Sequence, residues 1–217
     1  MQNMRLILAS TSPRRRDILQ SIGLQFETTP SGVDETVDDS VTPEDTVKLL
    51  SERKARSVAD LYDSGLIIGS DTLVVSAGKK LGKPDSDQKA IATLRALRGM
   101  THQVMTGLTL IEASSGRILT EVVVTNVTMR NYSEEEISSY VATGEPHDKA
   151  GSYAIQGLGA KLVASIDGPL DNVVGLPSAA LIEMLGEFGL KVSPPTTTSA
   201  NHHIEGRSAP SAQESDS

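Results

Sequence analysis

Arginine occurs three times in succession at positions 14–16, directly after Ser12-Pro13 and a short apolar run, Leu6-Ile7-Leu8. Ser12 suits a helix N-cap and Pro13 the first helical position. The three guanidinium groups then fall in a first turn whose dipole already disfavours cations. An anion held by backbone N–H groups and arginine forks would resolve that conflict; three solvated side chains on an exposed turn would also satisfy it. A second feature is Asp71, set in the apolar run Ile67-Ile68-Gly69-Ser70-Asp71-Thr72-Leu73-Val74-Val75. A carboxylate in such a strand must pair, protonate or bind a metal. Either it is a site residue or a lysine partners it for structure. Lys54 lies at the centre of the stripe Val47, Leu50, Val58 and Leu61 at about 100° per residue, where it either snorkels or reaches into a site. Lys83 sits in the stiff loop Gly82-Lys83-Pro84. Asp34-Glu35 offers carboxylate oxygen to a hard cation such as Mg²⁺, or is simply a solvated acidic loop. Gln156, in a glycine-rich stretch from Gly151 to Gly159, could read a base or ribose edge, or stabilise its own turn. Together these are the parts needed for a metal-assisted attack on a polyphosphate.

The elements that must position them follow from periodicity and punctuation. Residues 4–9 read as a buried strand, Pro13 to about Ser21 as a helix ended by Gly23, and Gln25 to Thr29 as a second strand. The acidic loop runs from Pro30 to Ser40. Thr42-Pro43-Glu44-Asp45 opens a long helix to about Tyr62. Leu66 to Val75 is a strand, followed by a turn at Ala77-Gly78. Asp87 to Arg98 is an amphipathic helix stopped by Gly99. Residues 103–112 and 118–129 form a hairpin around Ser114-Ser115-Gly116. Ser133-Glu134-Glu135-Glu136 is a capping box for a helix to about Thr143. A strand over Lys161–Ile166 and a helix opened by Leu176-Pro177 complete the pattern. The β-α units with one long hairpin give an α/β fold with a mixed sheet. From Pro194 the apolar periodicity ends, so 1–193 reads as the domain and 194–217 as a disordered tail; Ile204-Glu205-Gly206-Arg207 within it resembles a protease recognition site.

Composition removes several classes. The chain of 217 residues is 38% apolar, enough for a core, and has no cysteine, which excludes disulfides and thiolate metal sites. No stretch approaches the roughly 20 apolar residues of a membrane span, and no secretory signal is apparent, so a cytoplasmic protein without a membrane partner is expected. A formal charge of −8, no Trp and only two Phe argue against nucleic-acid binding. There is no P-loop, no complete dinucleotide fingerprint and no Gly-x-Ser-x-Gly elbow. The four histidines lack ligand spacing.

In family order, Leu8-Ala-Ser-Thr-Ser-Pro-Arg-Arg15, Val33-Asp-Glu-Thr36, Ile68-Gly-Ser-Asp-Thr72, Gly82-Lys-Pro84, Ala150-Gly-Ser-Tyr-Ala-Ile-Gln156 and Asn172-Val-Val-Gly-Leu-Pro177 resemble the Maf family of nucleoside triphosphate pyrophosphatases. The resemblance covers about Arg5 to Leu190. It implies an elongated mixed sheet flanked by helices, with a nucleotide cleft between two lobes, as in inosine triphosphatases. It implies hydrolysis of a nucleoside triphosphate to the monophosphate and pyrophosphate, and a homodimer. Asp71 matches the proton acceptor. Arg14, Thr72 and Gln156 match the positions that separate substrate classes and favour the dTTP/UTP branch over the 7-methyl-GTP branch and over purine house-cleaning enzymes. Ser10, Arg15, Glu35, Lys54 and Lys83 match pocket positions, with Mg²⁺ or Mn²⁺ expected on Asp71 and Glu35. The family is also associated with arrest of septum formation, which keeps a nucleotide-binding regulator without turnover as the competing reading.

Overall fold

The structure, a computed structural model, describes residues 4–192, so the expected tail at 194–217 lies outside the described residues. In chain order the elements are β1 (Leu6–Leu8), α1 (Pro13–Ser21), β2 (Glu27–Thr28), α2 (Pro43–Ala59), β3 (Leu66–Ser76), β4 (Lys79–Leu81), α3 (Asp87–Leu97), β5 (Thr101–Glu112), β6 (Ile118–Met129), α4 (Glu134–Val141), β7 (Val163–Asp167), α5 (Leu170–Val174) and α6 (Ser178–Glu187), with 3-10 turns at Glu145–Asp148, Ala150–Ser152 and Leu158–Leu162. The strands form one mixed sheet in the order β2-β1-β3-β5-β6-β7, with β4 also paired to β3. β1 runs parallel to β2 and β3, and the remaining pairings are antiparallel. The expected mixed α/β fold is therefore the fold observed.

Alternation along β3 sorts its side chains to two faces. Ile67 packs with Ala55 and Val58 of α2 on one face. Leu66 and Ile68 belong on the other face to a cluster with Leu19, Leu181 and Leu185 of α1 and α6. Val74, on that same face but at the far end of β3, joins Leu94, Ile137 and Tyr140 from α3 and α4. Between these two clusters lie Ser70 and Thr72, which are polar.

The edge of β3 explains the cleft. On that side β1 pairs with it only as far as Ile68, and β4 begins only at Val74. Gly69–Leu73 has no register partner there among the described strands, although β5 pairs with it on the other side. Side chains from both faces of β3 can therefore reach one ligand at this gap. Two glycines bring α2 close to it. A Cβ on Gly69 would overlap the Ser51 carbonyl, and one on Gly107, the register partner of Asp71 on β5, would overlap the Val47 carbonyl. The helix thus lies nearly on the strand backbone, as glycine in a strand permits.

Several boundaries differ from expectation. β2 has two residues where five were expected, because its two residues, Glu27 and Thr28, are both exposed on the sheet edge. α2 ends at Ala59, and β7 starts at Val163 after a 3-10 turn. β4 and α5 were not anticipated; with three and five residues they are too short to show periodicity. The capping box at Ser133 and Glu136 is present as expected. Ser12 occupies the N-cap of α1, but its hydroxyl caps nothing. Its own amide donates instead to Ser10 Oγ at 3.1 Å, which turns the chain toward the cleft.

Candidate functional site

Lys54 projects from α2, which packs on Gly69 and Gly107, and is buried, its side chain 8% exposed. Its Nζ donates to Asp71 Oδ1 at 2.6 Å and lies 2.7 Å from Glu35 Oε1. The lysine therefore reaches into a site and does not snorkel. Asp71, 9% exposed, and Glu35, 62% exposed, converge on this one ammonium from β3 and from the acidic loop. Burial pushes Asp71 above the usual carboxylate range, against the opposing pull of Lys54 and Arg15. Burial also acts upward on Glu35, but Lys54, Lys83 and Arg15 together hold it below its ordinary value.

α2 also fixes the loop that carries Glu35. Arg53 donates to the Thr36 carbonyl at 3.0 Å and approaches that of Asp34 at 3.4 Å. Ser57 Oγ donates to the Ser31 carbonyl at 3.0 Å, and Asp34 Oδ1 accepts from the Thr36 amide at 2.8 Å. Sequence reasoning missed Arg53 and Ser57. The available signal was their adjacency to Lys54 on one helix.

The arginine turn divides into three environments. Arg15 Nε donates to the Gly175 carbonyl at 2.9 Å, and its terminal nitrogens approach Ser10 Oγ and Thr72 Oγ1 at 3.4 Å. All three acceptors are neutral, so the charge of Arg15 is left for an anion. Arg14 is exposed and lines the cleft. Arg16 instead borders a shallow depression with Gln20, Leu24 and Phe26, away from the cleft.

Thr72 is held in a chain of hydroxyls. It contacts Thr106 Oγ1 at 2.9 Å, and Thr106 donates to the Asn172 carbonyl at 3.0 Å. Thr72 therefore donates to Thr106 and receives Arg15. The buried Asn172 amide donates in turn to the Val104 carbonyl and to Thr125 Oγ1. Ser70 Oγ and Arg15 share the Gly175 carbonyl. Gly175 has φ 121°, and a Cβ there would stand 3.4 Å from Thr72 Oγ1. The stretch Asn172–Pro177 thus braces Arg15 and Thr72 from behind, a role that the sequence left without a mechanism.

These groups line one cleft of about 930 Å³, together with Lys83, Lys149, Glu145, Tyr153 and Gln156. Of the residues singled out in the sequence, Ser10, Arg14, Arg15, Glu35, Lys54, Asp71, Thr72, Lys83 and Gln156 border it, whereas Arg16 and Asp34 do not. Lys149, ion-paired with Asp148, is a further cation that sequence reasoning passed over. Tyr153 also lines the cleft, and its Oη lies 2.8 Å from the buried His102 Nε2. Burial lowers His102 to about 4, so it is neutral near neutral pH.

The arrangement can bind a polyanion with four or five cations, place a buried carboxylate beside it and present an amide in the same cleft. Two carboxylates converging on one point are hard oxygen donors. Among the described residues no three His, Asp or Glu side chains gather to hold a metal by themselves. No helix of the described residues is long and apolar enough to cross a membrane.

The family model described as "Maf-like protein" matches residues 5–188. A dTTP/UTP pyrophosphatase of Moorella thermoacetica is 47% identical over 87% of this chain and 97% of that protein. One from Pelotomaculum thermopropionicum is 45% identical over 86% of this chain and 98% of that protein. One from Syntrophus aciditrophicus is 45% identical, covering 87% and 92%. Among solved structures, a HAM1 protein from Coxiella burnetii overlaps 59% of this chain and 74% of that chain at 15% identity and a TM-score of 0.41.

Proposed function

The chain belongs to the Maf-like protein family, and from that premise we propose that it is a house-cleaning nucleoside triphosphate pyrophosphatase acting on dTTP and UTP, and more broadly on CTP and modified pyrimidine nucleotides. The observation that supports the reading best is the convergence of Glu35, Lys54 and Asp71 at the open edge of β3, facing Arg15 and Lys83. A pure anion cradle needs the cations but no buried carboxylate among them.

In this reading the triphosphate lies between Arg15 and the two lysines. Asp71 holds a water and accepts its proton as the water oxygen bonds to the α-phosphorus. The bond from the α-phosphorus to the bridging oxygen breaks, and pyrophosphate departs with that oxygen. Lys54, Lys83 and Arg15 stabilise the charge that develops on it. The raised tendency of Asp71 to hold a proton suits an acceptor. The carboxylates are hard oxygen donors suited to Mg²⁺ or Mn²⁺, which Asp71 and Glu35 would hold. When bound, such an ion supplies further charge neutralisation on the phosphates. Arg14, Thr72 and Gln156 are the residues assigned to nucleotide choice, and Ser10 supports the Arg15 clamp. A cytoplasmic homodimer that binds no nucleic acid completes the proposal.

The test is incubation with dTTP, UTP, CTP and 7-methyl-GTP in Mg²⁺ or Mn²⁺, with pyrophosphate quantified. Pyrophosphate at enzymatic rates from dTTP and UTP, and less from 7-methyl-GTP, is expected. Orthophosphate without pyrophosphate would reject attack at the α-phosphorus. Binding without release would make the protein a nucleotide-binding regulator.

A further inference from the structure

Gln156 is exposed and sits in a turn, with neither strand nor helix to hold it at the cleft. Its flanks are nevertheless pinned by two side chains from one corner of the fold. Tyr140, near the C-terminal end of α4, accepts the Ala154 amide on its hydroxyl at 3.0 Å. Glu145, in the following 3-10 turn, accepts the Leu158 amide on Oε1 at 3.0 Å and the Gly159 amide on Oε2 at 2.9 Å. The two side chains together hold the backbone two residues before Gln156 and two and three residues after it.

The glycines beside Gln156 fit this clamp closely. A Cβ on Gly157 would overlap Glu145 Oε1, and one on Gly159 would lie 2.5 Å from Tyr140 Oη. Neither position has the left-handed backbone that would itself call for glycine. Gly157 is extended, at φ −149° and ψ −153°. The obstacle to a side chain at 157 is thus the carboxylate, which approaches the turn as far as a glycine allows. Charged acceptors make the stronger amide contacts, so Glu145 dictates where this turn rests.

We propose that Tyr140 and Glu145 are positioning residues: as a pair they fix the height and direction of Gln156 at the nucleobase end of the cleft, and so set which nucleotides the enzyme prefers. The inference rests on the reading of Gln156 as a nucleotide-selecting residue, and the experiment separates the two. A clamp that merely stabilises the domain would affect all nucleotides alike. A clamp that aims Gln156 changes their ranking.

The experiment measures kcat and KM for UTP and 7-methyl-GTP in the wild type, Gln156→Ala, Glu145→Ala, Gly157→Ala and the double variant Gly157→Ala/Glu145→Ala, with thermal unfolding of each. Gln156→Ala is expected to reduce the UTP preference, as a ratio of kcat/KM values, by about tenfold. Glu145→Ala and Gly157→Ala each reproduce most of that change while kcat for UTP falls by less than about threefold, because the phosphate end of the cleft is untouched. The double variant is no worse than Glu145→Ala, since removal of the carboxylate removes the overlap with a Cβ at 157. If Gln156→Ala changes the preference but neither Glu145→Ala nor Gly157→Ala does, the clamp is structural only and the inference is overturned. If Gln156→Ala leaves the preference unchanged, the assignment of Gln156 fails first. Should Glu145→Ala not fold, Tyr140→Phe removes one hydroxyl and must shift the preference in the same direction; no shift overturns the inference.

Discussion

The two walls of the cleft are made of different chemistry on different scaffolds. One wall is charged and regular: Lys54 on α2, Asp71 on β3 and Arg15 on α1 are each carried by a helix or strand. The other is less charged and is built on an irregular segment. Tyr153 and the turn around Gln156 line the cleft beside the Asp148–Lys149 ion pair. His102 of β5, Tyr140 of α4 and the Glu145 carboxylate hold that segment by hydrogen bonds. Phosphate chemistry needs fixed charge at a fixed place, and a helix packed on two glycines provides it. Reading a base needs shape and hydrogen bonds, and a turn held by amide contacts provides those. The same division predicts how each wall fails: the first through charge left unpaired, the second through misplaced backbone.

The sharpest way to break this contrast is Asp71→Asn. Nucleotide binding is expected to survive and turnover to fall about a thousandfold, the contribution of a positioned general base. Product release at near wild-type rate would reduce the charged wall to an anion cradle. Next is Lys54→Met. It strands Asp71 in a buried position beside Glu35, and loss of one partner from a buried ion pair costs about 3 kcal/mol. Denaturant unfolding checks it, and Asp71→Asn added to Lys54→Met should recover most of the loss. A double variant no more stable than Lys54→Met would show that packing of the lysine stem, not charge, held the wall together.

The charged wall was largely legible in the sequence, and the irregular one was not. Asp71 in an apolar strand and Lys54 on an apolar stripe each conflict with their surroundings, and such a conflict is visible one residue at a time. Their pairing was not visible as a fact: a structural lysine–aspartate pair and a site residue were alternatives, and the geometry shows an ion pair that also faces the cleft. The hydroxyl chain from Arg15 through Thr72 and Thr106 to Asn172 joins residues up to 157 positions apart with no local signature. Tyr140 and Glu145 look like ordinary residues at the end of a helix. The open edge of β3 depends on where β1 stops and a three-residue strand begins, which no periodicity marks.

The irregular wall makes its own prediction. His102 is 2% exposed and held at about 4, below its ordinary 6.5, because burial disfavours the charged ring. The unfolded chain therefore takes up a proton as pH falls through about 6.5, while the folded protein does not until about 4. Stability is lost across that window, by about 2 kcal/mol between pH 7 and pH 5. His102→Gln should lower the absolute stability yet flatten this part of the pH dependence. Thermal unfolding of both proteins at pH 7 and pH 5 measures it. Equal pH sensitivity in the two would mean that the irregular wall carries no buried titrating group.

The smallest expected effect separates the three arginines of α1, and its sign is the informative part. Arg16 borders the depression away from the cleft, so Arg16→Ala should leave activity unchanged. It also removes a cation from a first turn that has no acidic residue to balance it. The helix dipole makes such a cation unfavourable by roughly 0.3 kcal/mol or more at low salt, and alanine is a slightly better helix former. Arg16→Ala should therefore raise the unfolding temperature a little, by about one or two degrees, and the gain should shrink as salt is added. Arg15→Ala relieves the same dipole conflict, but it removes the guanidinium that joins Ser10, Thr72 and Gly175, so activity should fall sharply. If Arg16→Ala lowered activity as Arg15→Ala does, the charged wall would extend around the helix. Its boundary would then be set by net charge, not by which side chains face the open edge of β3.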